Sequence, residues 1–157
     1  MGGGGPLLAT DLWPLAVGNS WTYSPDSKCA MPDVFQVAEL APYQGRMAYR
    51  FTDTCSPDGF WLSVVDGNIQ QFAEAWHSNL AVPIEDGATW AWNDTYDFVW
   101  KSEPTVTVQM GTFHDCWRRV DPDNEAALSR VYCPGIGSVL SESPTEHYEL
   151  TAYHVGP

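Results

Sequence analysis

Four cysteines are the residues of this 157-residue chain whose type and spacing point most directly to chemistry: Cys29, Cys55, Cys116 and Cys133. An even set without a C-x-x-C pair favours disulfides over thioredoxin-type redox sites and zinc knuckles. Of the three arrangements that four cysteines allow, we favour Cys29 with Cys55 and Cys116 with Cys133, because turn signals fold each pair of segments together. The pattern predicts two disulfides and an oxidising compartment outside the cytoplasm.

A zinc site is the alternative use of the second cysteine pair. His114 and Cys116 lie two residues apart on a predicted strand, so their side chains share one face, and Cys133 would lie opposite them. A disulfide between the two cysteines removes both sulfur ligands from such a site. We therefore expect the disulfide, no bound metal and no cofactor.

An acidic turn is the second candidate metal site. Asp121, Asp123 and Glu125 occupy alternate positions of a loop, as calcium ligands do in an EF-hand. However, Ala126 stands where that motif needs glycine, and Tyr132 stands where it needs glutamate. We favour a solvated hairpin turn as the interpretation.

Carboxylates close to indole rings are the third candidate chemistry, since a glycosidase needs two carboxylates at a suitable separation. Asp94 and Asp97 are the best candidates, because they lie near Trp90, Trp92 and Trp100 in the sequence. Charged loop residues at the border of an aromatic core are the simpler interpretation. A small glycan-directed hydrolase stays as an alternative, whereas an esterase is disfavoured because the chain has no Gly-x-Ser-x-Gly motif.

The charge of the chain limits its partners. Seven Lys and Arg residues against 20 Asp and Glu residues give a formal net charge of −13. Such a surface repels phosphate backbones and anionic membranes, so we expect no nucleic-acid partner. No apolar run reaches the ~18 residues of a transmembrane segment. An acidic module that docks on a basic protein, or inhibits one, stays open as an alternative function.

Short strands separated by turns are the elements that must position these residues. Residues 105–110 alternate between Val or Met and Thr or Gln, as expected of an amphipathic antiparallel strand. Helix signals are scarce: only 71–80 could form a short helix, and a strand continuing from Asn68 competes with it. The fold class that we predict is all-β, a single strongly curved antiparallel sheet or half-open barrel with little helix and two disulfides.

The two halves of the chain begin alike. Segments 14–23 and 83–92 share the pattern P-[LI]-x-x-G-x-[ST]-W-x-[YW] at identical spacing. Proline and glycine set a tight turn before a strand, and the period of two puts the aromatic residues of each strand on one face. These rings either fill the core of a curved sheet or contact a ligand. The ligand-binding residues that we predict are Trp21, Tyr23, Trp90, Trp92 and Trp100.

Three motifs resemble those of a group of bacterial envelope proteins, often lipoproteins, whose members are uncharacterised. The matching residues are Pro14, Leu15, Val17, Gly18, Trp21 and Tyr23, then Val106, Val108, Gly111, Thr112, Phe113 and Cys116, then Tyr132, Pro134, Gly135, Ile136, Gly137 and Val139. The resemblance spans nearly the whole chain. It implies a bent antiparallel sheet similar to the half-barrels of periplasmic lipoprotein carriers, and it implies no catalytic residues.

These observations predict a flexible N-terminal tether at 1–10 and one β-rich domain at 11–157. Met1 either replaces a lipidated cysteine of a native precursor or begins a floppy end. We expect a non-enzymatic domain that is periplasmic, anchored to the outer membrane or secreted. It would bind a small apolar ligand or a protein partner.

Overall fold

Antiparallel strands make up almost all of the secondary structure. The structure is a computed structural model that describes residues 6–25, 29–56, 58–94, 96–124 and 127–156. Within these residues there is one short helix, α1 (Ala9–Leu12), and there are twelve strands. The strands are β1 (Ser20–Tyr23), β2 (Asp33–Tyr43), β3 (Arg46–Asp53), β4 (Phe60–Val65), β5 (Asn68–Ala73), β6 (Ala75–Leu80), β7 (Thr89–Ala91), β8 (Asp97–Val108), β9 (Gly111–Val120), β10 (Ser129–Cys133), β11 (Gly137–Glu142) and β12 (His147–His154).

The strands form one sheet that is almost closed into a barrel. Their order is β6-β5-β4-β3-β2-β1-β12-β11-β10-β9-β8-β7, which is two six-stranded meanders joined where β1 pairs with β12. Strands β6 and β7 are the two edges, and side chains bridge the seam between them. The indole of Trp90 donates to the carbonyl oxygen of Ser78 at 2.9 Å. A ring nitrogen of His77 lies 2.8 Å from the carbonyl oxygen of Trp92. The predicted fold class is confirmed.

The repeated sequence pattern is a repeated structure. Gly18 and Gly87 both have positive φ, of 99° and 89°, and each precedes the first strand of its meander. The N–H of Gly18 donates to Val37 at 2.9 Å, and the N–H of Gly87 donates to Trp100 at 2.8 Å. Each half of the barrel therefore begins with the same turn and attaches to its second strand in the same way.

Segment 71–80, for which the sequence allowed either a helix or a strand, belongs to a β-hairpin. Strands β5 and β6 pair antiparallel up to Ala73 opposite Ala75, with Glu74 alone at the turn. Glu74 has a φ of 68°, a left-handed conformation that an α-helix does not contain. Of the two predicted alternatives for 71–80, the strand is therefore the one observed.

Both predicted disulfides are present. Cys29 pairs with Cys55 across the start of β2 and the end of β3, and Cys116 pairs with Cys133 between β9 and β10. Each bridge therefore joins neighbouring segments of one meander, as the turn signals predicted.

Aromatic side chains fill most of the barrel interior. Trp21, Trp100, Phe51 and Tyr132 are fully buried. Helix α1 covers this core with Trp13, whose ring lies 5.4 Å from that of Phe51 between centroids. Rings from both meanders therefore meet in one core.

The backbone approaches one of these indoles closely. Gly137 has a φ of 124°, and a Cβ at this position would lie 2.6 Å from the indole nitrogen of Trp21. That nitrogen donates to the carbonyl oxygen of Ile136. The bend after β10 therefore depends on glycine at position 137.

The N-terminal segment packs against the same core. Ala9 is fully buried, and its N–H donates to the carbonyl oxygen of Gly67 at 2.9 Å. Gly135 donates to the carbonyl oxygen of Asp11 at 2.7 Å and so attaches α1 to the turn after β10. In the described part of the chain, no helix has the length and apolar character needed to cross a membrane.

Candidate functional site

One cavity beside the aromatic core lies between β1–β3 and β10–β12. We call it the dyad cavity, after the two aspartates in its wall. Its volume is about 200 Å³. Its lining residues are Trp13, Tyr23, Asp33, Phe35, Asp53, Cys55, Arg130, Tyr132, Ser138, Ser141, Glu146 and Tyr148.

Asp33 and Asp53 form a carboxyl pair in this wall. Strand register places Asp33 opposite Tyr23 and Asp53 opposite Phe35. The N–H of Cys55 donates to one oxygen of each aspartate, at 3.2 Å to Asp33 and 3.0 Å to Asp53. Burial raises the pKa of Asp53 to about 7, and a hydrogen bond with Asp33 and the charge of Asp33 act in the same direction. Asp53 therefore keeps its proton up to about neutral pH.

The pair is poorly suited to hold a metal ion. One ligand atom each of Asp33, Asp53 and Cys55 lies within 4.8 Å of the others. The sulfur of Cys55 is bonded to Cys29, so it offers no thiolate. Two carboxylates remain, which is fewer than the protein ligands that zinc and calcium sites use.

Three residues that line the dyad cavity each have a buried polar atom without a hydrogen-bond partner within the described residues. These atoms are the indole nitrogen of Trp13, the phenolic oxygen of Tyr132 and the hydroxyl oxygen of Ser141. Leaving such a group unpaired costs ~1–3 kcal/mol, so buried polar groups normally have a partner. All three residues also line the dyad cavity, so the unpaired buried side-chain atoms of the described residues are concentrated around it.

Aromatic rings form the remaining walls of the dyad cavity. The hydroxyl group of Tyr23 donates to the carbonyl oxygen of Ser138 at 2.7 Å, and burial raises the pKa of Tyr23 above its ordinary value. Phe35 packs edge-on against Tyr23, with 5.3 Å between ring centroids. The hydroxyl group of Tyr23 is thus paired, whereas that of Tyr132 is not. The rings of Tyr23 and Phe35 give the cavity apolar surfaces beside its polar residues.

The second cavity lies on the β6–β9 side of Arg130, close to the seam of the barrel. We call it the arginine cavity. Its volume is about 210 Å³, and its lining residues are Gln71, Asn79, Trp92, Tyr96, Phe98, Arg119 and Arg130. Arg130 lines both cavities.

Strand register explains why the two cavities are neighbours. Residues directly opposite each other in adjacent antiparallel strands lie on one face of a sheet. A continuous row of opposite residues crosses β8 to β12, and it consists of Trp100, Arg119, Arg130, Ser141 and Tyr148. We call the face that carries this row the inner face. The row leads from the arginine cavity at Arg119 to the dyad cavity at Ser141.

The predicted ligand-binding residues lie in different places. Tyr23 lines the dyad cavity and Trp92 lines the arginine cavity. Trp21 and Trp100 are fully buried, and Trp90 is half-buried at the seam. The residues of the repeated pattern are therefore brought to the core, the seam and the cavity walls rather than to one binding face.

The other sequence candidates lie outside both cavities. Asp94 and Asp97 are exposed at the connection between β7 and β8. His114 is on β9, and the sulfurs of Cys116 and Cys133, which the predicted zinc site would need, are bonded to each other. Asp121 is half-buried, Asp123 is exposed, and Glu125 lies outside the described residues.

The polar residues of the dyad cavity were not found by sequence reasoning. Asp33, Asp53 and Ser141 are far apart in the chain and belong to no short motif. Asp33 begins β2 and is buried, at 6% exposure, but this burial is visible only in the structure. Only the register of the barrel brings these three residues together.

No family model and no curated protein matches this chain. Two solved structures are similar to it. A Bacteroides fragilis protein, assigned as exported and having a YmcC-like fold, shares 15% identity with a TM-score of 0.48 and covers 92% of this chain and 99% of its own. A Parabacteroides distasonis protein, assigned as a lipoprotein, shares 13% identity with a TM-score of 0.42 and covers 96% of this chain and 98% of its own.

Proposed function

We propose that this chain is a non-enzymatic binding domain that holds a small organic ligand in the dyad cavity. The ligand combines a flat apolar face with hydrogen-bonding groups. The observation that carries the proposal is that Trp13, Tyr132 and Ser141, each with an unpaired buried polar atom, all line one cavity of about 200 Å³. A ligand that bonds these atoms removes the cost of leaving them unpaired.

The walls indicate the chemistry of the ligand. The rings of Tyr23 and Phe35 offer apolar contact, while Trp13 offers a donor and Ser141 a group that donates or accepts. Asp33, Asp53 and Glu146 bring three carboxyl groups to the cavity wall, and Arg130 brings one guanidinium group. This excess of carboxyl groups disfavours an anionic ligand.

The proposed location is outside the cytoplasm. Two disulfides stabilise the fold, and disulfides persist in oxidising compartments. A periplasmic, outer-membrane-anchored or secreted domain fits this chemistry. The excess of 20 acidic over 7 basic residues keeps such a domain soluble and away from anionic surfaces.

The alternative functions have weaker support. The two carboxyl groups of a glycosidase stand ~5–9.5 Å apart on either side of the substrate, whereas Asp33 and Asp53 share a hydrogen bond. Asp94 and Asp97 are exposed and line neither cavity. An acidic docking module would need no unpaired groups inside the barrel, so the dyad cavity favours ligand binding over docking.

A fluorescence titration tests the proposal. A small-molecule extract of the native host is added to the wild type and to Ser141→Leu, in which the larger side chain fills the dyad cavity. We expect the extract to change the indole emission of the wild type and to leave that of Ser141→Leu unchanged. Equal responses from the two proteins, or no response from the wild type, would reject the proposal.

A further inference from the structure

Arg119 is a buried guanidinium group without a carboxylate partner in the described chain. Its side chain is 7% exposed. Its hydrogen bonds to the described residues both leave from Nη1, one to the carbonyl oxygen of Asn79 at 3.0 Å and one to the side-chain oxygen of that residue. The ring of Phe98 lies 4.4 Å from the guanidinium carbon. All these partners are neutral, so the buried positive charge is not compensated.

A second guanidinium group lies beside it. Arg130 is directly opposite Arg119 on the neighbouring strand, and it forms no ion pair with the described residues. Like charges at opposite positions of a sheet repel each other. Burial lowers the pKa of Arg119 to about 10, and the charge of Arg130 acts in the same direction. The arginine cavity thus brings two positive charges together.

The neighbouring Arg118 has carboxylate partners, unlike Arg119 and Arg130 on the inner face. Its side chain leaves the opposite face of β9, where its nitrogens bond Glu103 at 3.1 Å and Glu142 at 2.8 Å. The chain has 20 acidic residues, so carboxylates are abundant. None of them lines the arginine cavity among the described residues. The missing counter-charge is therefore local to this cavity.

The remaining wall is aromatic and amide. Trp92, Tyr96 and Phe98 offer ring surfaces, and Gln71 accepts a hydrogen bond from the side-chain nitrogen of Asn79 at 2.7 Å. A guanidinium group binds a carboxylate through two parallel N–H donors, and Nε and Nη2 of Arg119 are not used by the described chain. Charge and shape therefore match a flat organic acid.

We propose that the arginine cavity binds the carboxylate of a small aromatic organic acid. Arg119 and Arg130 hold the carboxylate, and the rings of Trp92 and Phe98 contact the apolar body of the acid. This site is distinct from the dyad cavity, although Arg130 lines both.

Calorimetric titration with benzoate tests this site, and benzamide serves as the matched neutral probe. We expect the wild type to bind benzoate at least tenfold more tightly than benzamide. Arg119→Met, in which an unbranched apolar chain replaces the buried cation, and Arg130→Gln should each weaken benzoate binding at least tenfold. Arg118→Gln is the control, because its guanidinium group points to the other face, and it should bind benzoate like the wild type.

Several outcomes would overturn the assignment. Equal affinity for benzoate and benzamide would show that the charge of the ligand does not matter. Unchanged benzoate binding in Arg130→Gln would show that Arg130 does not hold the carboxylate, and this test stands even if Arg119→Met fails to fold. Inorganic phosphate that binds tenfold more tightly than benzoate would assign the cavity to a different anion. Asp53→Asn should leave benzoate binding unchanged, so this site and the dyad cavity can fail separately.

Discussion

Tyr23 and Tyr132 face the same cavity, yet only Tyr23 has a hydrogen-bond partner among the described residues. Its hydroxyl group donates to the carbonyl oxygen of Ser138 at 2.7 Å, whereas the hydroxyl group of Tyr132 is buried and unpaired. The first hydroxyl therefore supports the fold. The second, in our account, serves the ligand.

Replacing each tyrosine by phenylalanine separates these two roles. In the ligand-free protein, Tyr132→Phe removes an unpaired buried group and should stabilise the fold by up to ~1–2 kcal/mol. Tyr23→Phe removes a paired group, leaves the carbonyl oxygen of Ser138 unsatisfied, and should destabilise it by ~1–3 kcal/mol. Urea unfolding of both variants measures the difference. A loss of stability in Tyr132→Phe as large as that in Tyr23→Phe would contradict the assignment.

The carboxyl pair makes stability depend on pH. The pKa of Asp53 rises from 3.8 to about 7 on folding, so the native state favours protonated Asp53. This contribution is fully present below pH ~4 and is lost as the pH rises through ~7. Because Asp53 is partly exposed, we expect a loss of only ~1–2 kcal/mol in the wild type.

Unfolding midpoints at pH 5 and pH 8 measure this effect. Asp53→Asn should remove most of the decline, because its side chain does not ionise. Asp97→Asn is the matched control, since Asp97 is exposed and lies outside the cavity. A decline of the same size in Asp53→Asn would show that another group causes it.

Much of the fold could be predicted from local signals. Turn residues at short spacing indicated an all-β chain, and the even cysteine set indicated the two bridges that are observed. The repeat of Gly18 and Trp21 in Gly87 and Trp90 marked the start of each meander. These signals are carried by residues that are close in sequence, which is why they can be detected without a structure.

The cavities could not be predicted in the same way. Asp33 and Asp53 meet because β1, β2 and β3 pair in one register, and Arg119 meets Arg130 only across the β9–β10 pair. The sequence directed attention to Trp21 and Trp100, since large aromatic residues are frequent in binding sites. In this barrel those two rings are fully buried in the core.

The second disulfide should contribute measurably to stability. Cys116 and Cys133 are 17 residues apart, and closing a loop of this size stabilises a fold by ~3 kcal/mol. Replacing both cysteines by alanine should lower the Tm by roughly 6–12 °C. Calorimetry under non-reducing conditions measures the shift. A change of less than ~1 kcal/mol would mean that the hairpin needs no covalent link.

The seam between β6 and β7 depends on side chains. Trp90→Phe removes the indole donor that bonds the carbonyl oxygen of Ser78, and we expect faster amide hydrogen exchange across β6 and a loss of ~1–2 kcal/mol. Trp76→Phe is the control, because Trp76 is also on β6 but its indole donates to the carbonyl oxygen of Gln44 in the β2–β3 turn and not across the seam. Equal exchange in β6 for the two variants would argue against this role.

Native mass spectrometry of the chain purified from its own host tests the central claim most directly. The account predicts that the wild type carries a small organic molecule, which is released on denaturation, and that Ser141→Leu, with its dyad cavity filled, carries none. A wild-type protein of bare mass, the same adduct on both proteins, or a bound protein in place of a small molecule would contradict it.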